Sequence, residues 1–379
     1  MKEINNGTVR LVCQIDMCNG CMACLDKCSV GAISIIDGLE SYNAVINREK
    51  CVGCGMCESV CPRSNSATKL APRKWHQGWA ADAKVRAGGS SGGVASAIAY
   101  AFVNNGGMVC SCVFQNGEFV FDAVESAEDI FRFKGSKYVK SDPRGIYKKI
   151  KAAIQTKKKV LFIGLPCQSA AVQRYIGSSE YLYTVDLICH GTPSPKLLDA
   201  FLKESGYSMD TMTTVDFREK ESWGVSCDGL RMTPRSVMDR YMMAFLYSVD
   251  YTENCYNCDY ATVSRVSDIT LGDSWGSSFS EEERKKGISL ILSQTDKGDE
   301  LLEAAGLQLF SVDSDVAIKN NRQLTEPSKK SLESARFFKR VKRKLNFKRS
   351  VFCVYPKYCL RQSVKKIMIK SIKRRENAL

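Results

Sequence analysis

What the chain lacks narrows its class first. No apolar run approaches the ~18 residues that a membrane-spanning helix needs. The longest, VASAIAYAFV at residues 94–103, has the length of a core helix. The opening MKEINNGTVR is polar and no apolar stretch follows it, so no secretory leader is read and a cytosolic chain is expected. A G-x-G-x-x-G fingerprint between a strand and a helix is missing, so a dinucleotide fold is not supported. Cysteine, by contrast, is abundant, with 18 in 379 residues. The cytosol is reducing, so these thiols point to metal ligation and away from a disulfide framework.

Positive charge is confined to one end. Residues 328–379 hold 18 Lys/Arg against Glu333 and Glu376, which leaves the remaining residues close to neutral although the whole chain carries +14. The length and a 44% hydrophobic content allow two or three domains.

CNGCMACLDKC (18–28) and CVGCGMCESVCP (51–62) both read C-x2-C-x2-C-x3-C. Short loops let three thiolates wrap one face of an iron–sulfur cube, while the fourth cysteine reaches the neighbouring cluster. The spacing therefore assigns Cys18, Cys21, Cys24 and Cys61 to a first [4Fe–4S] cluster, and Cys51, Cys54, Cys57 and Cys28 to a second. Zinc prefers two separated pairs and fits this spacing poorly. Over residues 10–66 the chain resembles bacterial-type two-cluster ferredoxins, although Ser29 stands where a proline would follow the first run. Cys13 falls outside both runs and reads as a buried spectator.

Residues 67–87 lack a clean period and read as a linker. AGGSSGGVASAIAYAFVNNGG then runs from a glycine-rich loop into a helix, and the strand MVCSCVF follows. Backbone N–H groups at such a helix start suit an anion, while an ordinary flexible turn has the same composition. KKVLFIGLPCQSAAVQRYI and YLYTVDLICHGTPSPKLLDAFL each read as strand, turn and helix, with Cys167 and Cys189 at the strand ends. Alternating strands and helices point to an α/β body, which places sites at strand ends. With the CYNC pair, Cys255 and Cys258, these cysteines could hold one further cluster or one zinc. Cys167 and Cys189 could equally be small buried hydrophobes. Cys353 and Cys359 look incidental.

GGSSGGVASA, FKGSKYVKSD, GLPCQSAAVQ, DLICHGTPSP, CYNC and SDITLGDSWG occur in order over about residues 75–310. Together they resemble the family of coenzyme F420 hydrogenase/dehydrogenase beta subunits. The resemblance implies an FAD enzyme with a cluster in its body, so Cys167, Cys189, Cys255 and Cys258 become candidate ligands of a third [4Fe–4S] cluster. It also implies that Gly88, Gly89, Ser90, Ser91, Gly92 and Gly93 lie near the flavin phosphates. Ser136, Lys137 and Tyr138 are implied near the isoalloxazine. Lys137 is a candidate catalytic group that could stabilise anionic reduced flavin, and His190 is a candidate donor to substrate or cluster sulfur. Asp268, Asp273 and Trp275 read as packing and hydrogen-bonding groups around the site.

The expected architecture is an α+β ferredoxin-like cluster domain (8–68) fused to an α/β flavin-binding body, plus a basic C-terminal helical tail. The body has an N-terminal part (75–155) and a C-terminal part (156–310), and the tail spans 311–379. The expected function is an iron–sulfur flavoprotein oxidoreductase linking a two-electron carrier, deazaflavin or nicotinamide, to FAD and the clusters. The alternative is a ferredoxin-type subunit with no substrate of its own. Its partner is a redox protein or small electron carrier. The tail mixes Lys/Arg with apolar residues, so contact with an anionic membrane surface is a further expectation; nucleic acid is not an expected partner.

Overall fold

The computed structural model describes residues 10–344 and 346–376. The expected domain start at residue 8 and the tail residues 377–379 lie outside the described residues. The cysteine-rich segment contains β1 (Arg10–Leu11), α1 (Ala23–Lys27), β2 (Ile33–Asp37), β3 (Tyr42–Ile46) and α2 (Met56–Ser59). The three strands form an antiparallel sheet in the order β1-β3-β2. Each cysteine run loops into a short helix through a left-handed residue, Met22 (φ 59°) before α1 and Gly55 (φ 70°) before α2. The fourth cysteine of each run, Cys28 or Cys61, follows the helix.

The body continues with β4 (Lys74–Ala80), α3 (Ala83–Gly88), α4 (Val94–Asn104), β5 (Met108–Gln115) and β6 (Glu118–Val124). Next come α5 (Ile146–Gln155), β7 (Val160–Gly164), α6 (Pro166–Ile176), β8 (Leu182–Leu187) and α7 (Pro195–Lys203). A small antiparallel sheet is made of β9 (Val215–Glu219), β10 (Ser222–Cys227) and β11 (Leu230–Arg231). After α8 (Arg240–Leu246) and α9 (Glu253–Tyr256), the chain returns as β12 (Ile269–Asp273), α10 (Glu281–Lys285), β13 (Ser289–Ser293), α11 (Asp296–Ala304) and β14 (Leu307–Ser311).

Eight of these strands make one mixed sheet in the order β14-β4-β13-β12-β8-β7-β5-β6. The central neighbours β12, β8, β7 and β5 run parallel, and the outer pairs are antiparallel. Alternate side chains of β7 go to opposite faces. Leu161 and Ile163 join the core under α4 and α11, while Val160 and Phe162 join the core under α5 and α6. The cysteine-rich segment packs on this second face, where Cys21, Ala23 and Val60 share the core with Tyr147 and Tyr175. Asp26 accepts the Gly145 N–H there, at 2.8 and 2.9 Å to its two oxygens.

The linker reading of residues 67–87 is corrected. β4 lies within it, hydrogen-bonded on both sides by β13 and β14. A strand with neighbours on both edges and cover on its faces needs no polar–apolar alternation. Gly78 fits because a Cβ there would stand 2.1 Å from the Gln308 carbonyl oxygen.

The basic end forms α12 (Ser314–Asn320), α13 (Leu332–Lys344), α14 (Phe347–Val354) and α15 (Pro356–Glu376). Phe337, Phe338, Val341, Phe347 and Val351 are wholly buried against Phe201, Tyr241 and Phe245. The apolar residues of α13 and α14 that suggested a membrane surface are thus core residues of the body. Leu360, Val364, Ile367 and Met368 on α15 remain exposed. No helix among the described residues is long and apolar enough to cross a membrane.

Candidate functional site

Cys18, Cys21, Cys24 and Cys61 line one small buried space, closed by Val12, Met22, Ala44 and Pro62. Backbone N–H groups point at sulfur, from Gly20 to Cys18 at 3.4 Å and, in the second set, from Ala32 to Cys28 at 3.2 Å. Burial pushes the Cys21 and Cys24 thiols up, and their thiol neighbours add to it. Cys13 also lines this space. It is half-buried beside the four cysteines, outside both runs. In the second set Cys54 is exposed, and Cys28, Cys51 and Cys57 are half-buried.

Cys167, Cys189, Cys255 and Cys258, separated by up to 91 positions in sequence, line a single cavity. Cys189 follows β8, Cys167 opens α6, and Cys255 lies in α9. Burial raises Cys189 well above the usual range, with the neighbouring thiols adding to it. Burial pushes Cys167 up to about 12, opposed by Lys140. The hydroxyls of Thr192 and Thr252 each approach Cys255 Sγ to 3.6 Å. Arg265 is fully buried and binds Asp186 at 2.8 Å, the Leu187 carbonyl at 3.1 Å and the Tyr260 carbonyl at 2.6 Å. It thereby ties the CYNC loop to the strand that presents Cys189. Among the described residues, no three His, Cys, Asp or Glu side chains converge to hold a single metal ion.

A cavity of about 420 Å³ opens beside the four-cysteine site, and Cys189 and His190 belong to the walls of both. The volume lies in the range of small-molecule sites. Gly89, Ser90, Ser91 and Gly93 line it at the start of α4, whose first turn has no side-chain cap, so free N–H groups face the space. Gly88 and Gly92 do not line it. Gly92 instead lets two strands close in, since a Cβ would meet the Gly78 carbonyl oxygen at 2.5 Å. Ser136, Lys137 and Tyr138 line the cavity next to the glycine-rich loop, and the Ser136 N–H donates to Ser90 Oγ at 2.9 Å. Lys137 turns its ammonium back onto the carbonyls of Phe133 and Lys134 at 2.7 and 2.8 Å, and burial lowers its pKa. His190 opens onto the cavity; burial lowers its pKa, with Asp273 opposing.

Arg218 and Trp223 were not legible as site residues. Arg218 lines the cavity, binds Asp273 through two bonds of 2.7 and 2.9 Å, and is only 5% exposed. Its guanidinium lies 4.4 Å from the Trp223 ring centre and 5.8 Å from that of Trp275. No motif surrounds FREKESWG, and only the contact between Arg218 on β9 and Asp273 on β12 reveals it. Asp268, by contrast, serves packing, accepting from Thr184 and Thr295.

An α/β body with a cavity and closely set cysteine sites defines an iron–sulfur redox protein. Family models agree. Residues 75–143 match the N-terminal part, and residues 157–310 the C-terminal part, of the coenzyme F420 hydrogenase/dehydrogenase beta subunit. Residues 17–65 match a 4Fe-4S dicluster domain. The chain belongs to the family of coenzyme F420 hydrogenase/dehydrogenase beta subunits, with an N-terminal dicluster domain. It is 25% identical over 293 residues to an F(420)H(2) dehydrogenase subunit of Methanosarcina mazei, covering 71% of this chain and 80% of that one. Its cysteine-rich segment is 40% identical over 55 residues to a subunit of the ion-translocating oxidoreductase complex of Methanosarcina acetivorans, 14% of this chain and 19% of that one. A solved structure of the F420-reducing [NiFe] hydrogenase complex from Methanosarcina barkeri superposes with a TM-score of 0.47 at 18% identity, covering 67% of this chain and 91% of that chain.

Proposed function

We propose that the 420 Å³ cavity holds FAD and that Cys167, Cys189, Cys255 and Cys258 hold a third [4Fe–4S] cluster. The chain then passes electrons between a two-electron carrier and a redox partner. The observation that carries this reading is that Cys189 belongs both to the cavity wall and to the four-cysteine site. Asn19 in turn belongs both to that site and to the space lined by Cys18, Cys21, Cys24 and Cys61. From there the exchanged ligands Cys28 and Cys61 lead to the exposed Cys54.

Bound FAD would exchange electrons in pairs with a deazaflavin or nicotinamide carrier and singly with the clusters. The protein's own part is binding and electrostatics. The uncapped N–H groups of α4 suit the pyrophosphate. Arg218, held by Asp273, puts a fixed cation on the cavity wall and favours negative charge there. His190 lines the cavity and its imidazole can donate one N–H. Trp223 and Phe245 give the wall an apolar lining. A partner protein would meet the chain where Cys54 reaches the surface. Any peripheral membrane contact would fall to α15. Titration of the anaerobically purified chain with FAD tests the reading: one FAD per chain with quenched fluorescence is expected, and no binding contradicts it.

A further inference from the structure

Lys140 stands between the two buried cysteine sites. It is 6% exposed. Its stem passes so close to Gly20, at φ 69°, that a Cβ there would stand 2.9 Å from Lys140 Cδ. Its Nζ donates to the Asn19 carbonyl at 3.1 Å and lies 5.1 Å from the centre of the Tyr42 ring. Lys140 and Asn19 both line the four-cysteine cavity, and Asn19 is next to Cys18 on the other side. Among the described residues, no carboxylate forms an ion pair with this ammonium. Asp37, which accepts from the Tyr42 hydroxyl, pairs with Lys196 instead.

A buried ammonium without a counter-charge is strongly unfavourable. It carries three donors, and a protein oxygen accepts from one. Its charge lies near enough to favour the thiolates of both Cys18 and Cys167. A cube held by four thiolates is an anion, and one would lie on either side. We propose that Lys140 is the shared counter-charge of the first cluster and the third. It raises both reduction potentials together. Net charge and hydrogen bonds at a cluster set its potential, and a nearby cation favours the more negative, reduced form. This inference rests on the reading of Cys167, Cys189, Cys255 and Cys258 as cluster ligands.

The test is a redox titration, followed by electron paramagnetic resonance, of the anaerobically purified full chain and of Lys140→Met and Lys140→Arg. Lys140→Met is expected to lower two of the three cluster potentials. Each should change at least tenfold in its reduced-to-oxidised ratio, about 59 mV for one electron. The cluster of Cys28, Cys51, Cys54 and Cys57 should keep its potential, and Lys140→Arg should keep all three. Unchanged potentials in Lys140→Met, or an equal drop in all three, overturn the inference. If Lys140→Met does not fold, Lys140→Gln removes the same charge and is read the same way. Iron for only two clusters in the unaltered chain would sink the third-cluster reading itself, and the iron count reveals that before any potential is measured.

Discussion

Asn254 donates through Nδ2 to Asn19 Oδ1 at 3.4 Å. This bond joins the loop that carries Cys255 to the loop that carries Cys18 and Cys21. Two cysteine sites from distant parts of the sequence thereby share one wall, and the dicluster segment is clamped to the body where electrons would cross. Arg63 with Asp259, and Arg174 with the Ser59 carbonyl, fasten the same interface from its rim.

Arg218 should tune whatever occupies the cavity. With FAD bound, Arg218→Met is expected to lower the flavin midpoint potential, because it removes a cation from the cavity wall. A tenfold change corresponds to about 30 mV for two electrons. Spectroelectrochemistry reads the shift. An unmoved potential with FAD still bound would remove Arg218 from the site.

The basic end should behave as core. Phe337 is wholly buried and touches Phe347 and Phe338 with ring centres 5.5 and 5.3 Å apart. Phe337→Ala should cost about 3–5 kcal/mol of stability, as large aromatic truncations in cores do. Denaturant unfolding measures it, and a loss below about 1 kcal/mol would mean that α13 is dispensable to the fold.

Asp250 offers a pH signature away from the cysteines' ligand atoms. It is wholly buried, and neither carboxyl oxygen has a hydrogen-bond partner among the described residues. Burial raises its pKa well above the ordinary carboxylate value. The folded chain therefore binds more protons than the unfolded one, and stability falls as pH rises above the unfolded value of about 3.9. Asp250→Asn removes that loss. Its melting temperature should exceed that of the unaltered chain at pH 7, with the gap narrowing towards pH 4. A gap that is constant with pH would show that the carboxyl does not titrate across folding.

The parts legible in the sequence were those written in local spacing. The two cysteine runs need only neighbouring residues to wrap a cluster, and the strand–turn–helix plan around Cys167 and Cys189 follows hydrophobic runs of five or six residues. β4 escaped because a strand covered on both faces carries no alternation, and its partners β13 and β14 lie more than 200 residues on. The basic end misled because its charges dominate composition while the residues between them include core aromatics and valines. Arg218 and Lys140 act through contacts with Asp273 and Asn19, 55 and 121 residues away; no motif surrounds Arg218, and the FKGSKYVKSD motif around Lys140 does not reveal its partner.

Iron and acid-labile sulfide per chain test the central claim most directly, measured on the anaerobically purified protein and on Cys189→Ala. Three four-iron clusters predict about twelve irons in the unaltered chain, and loss of the body cluster predicts about eight in the variant. About eight irons in both would contradict the account, because Cys189 would then join the cavity to no cluster at all.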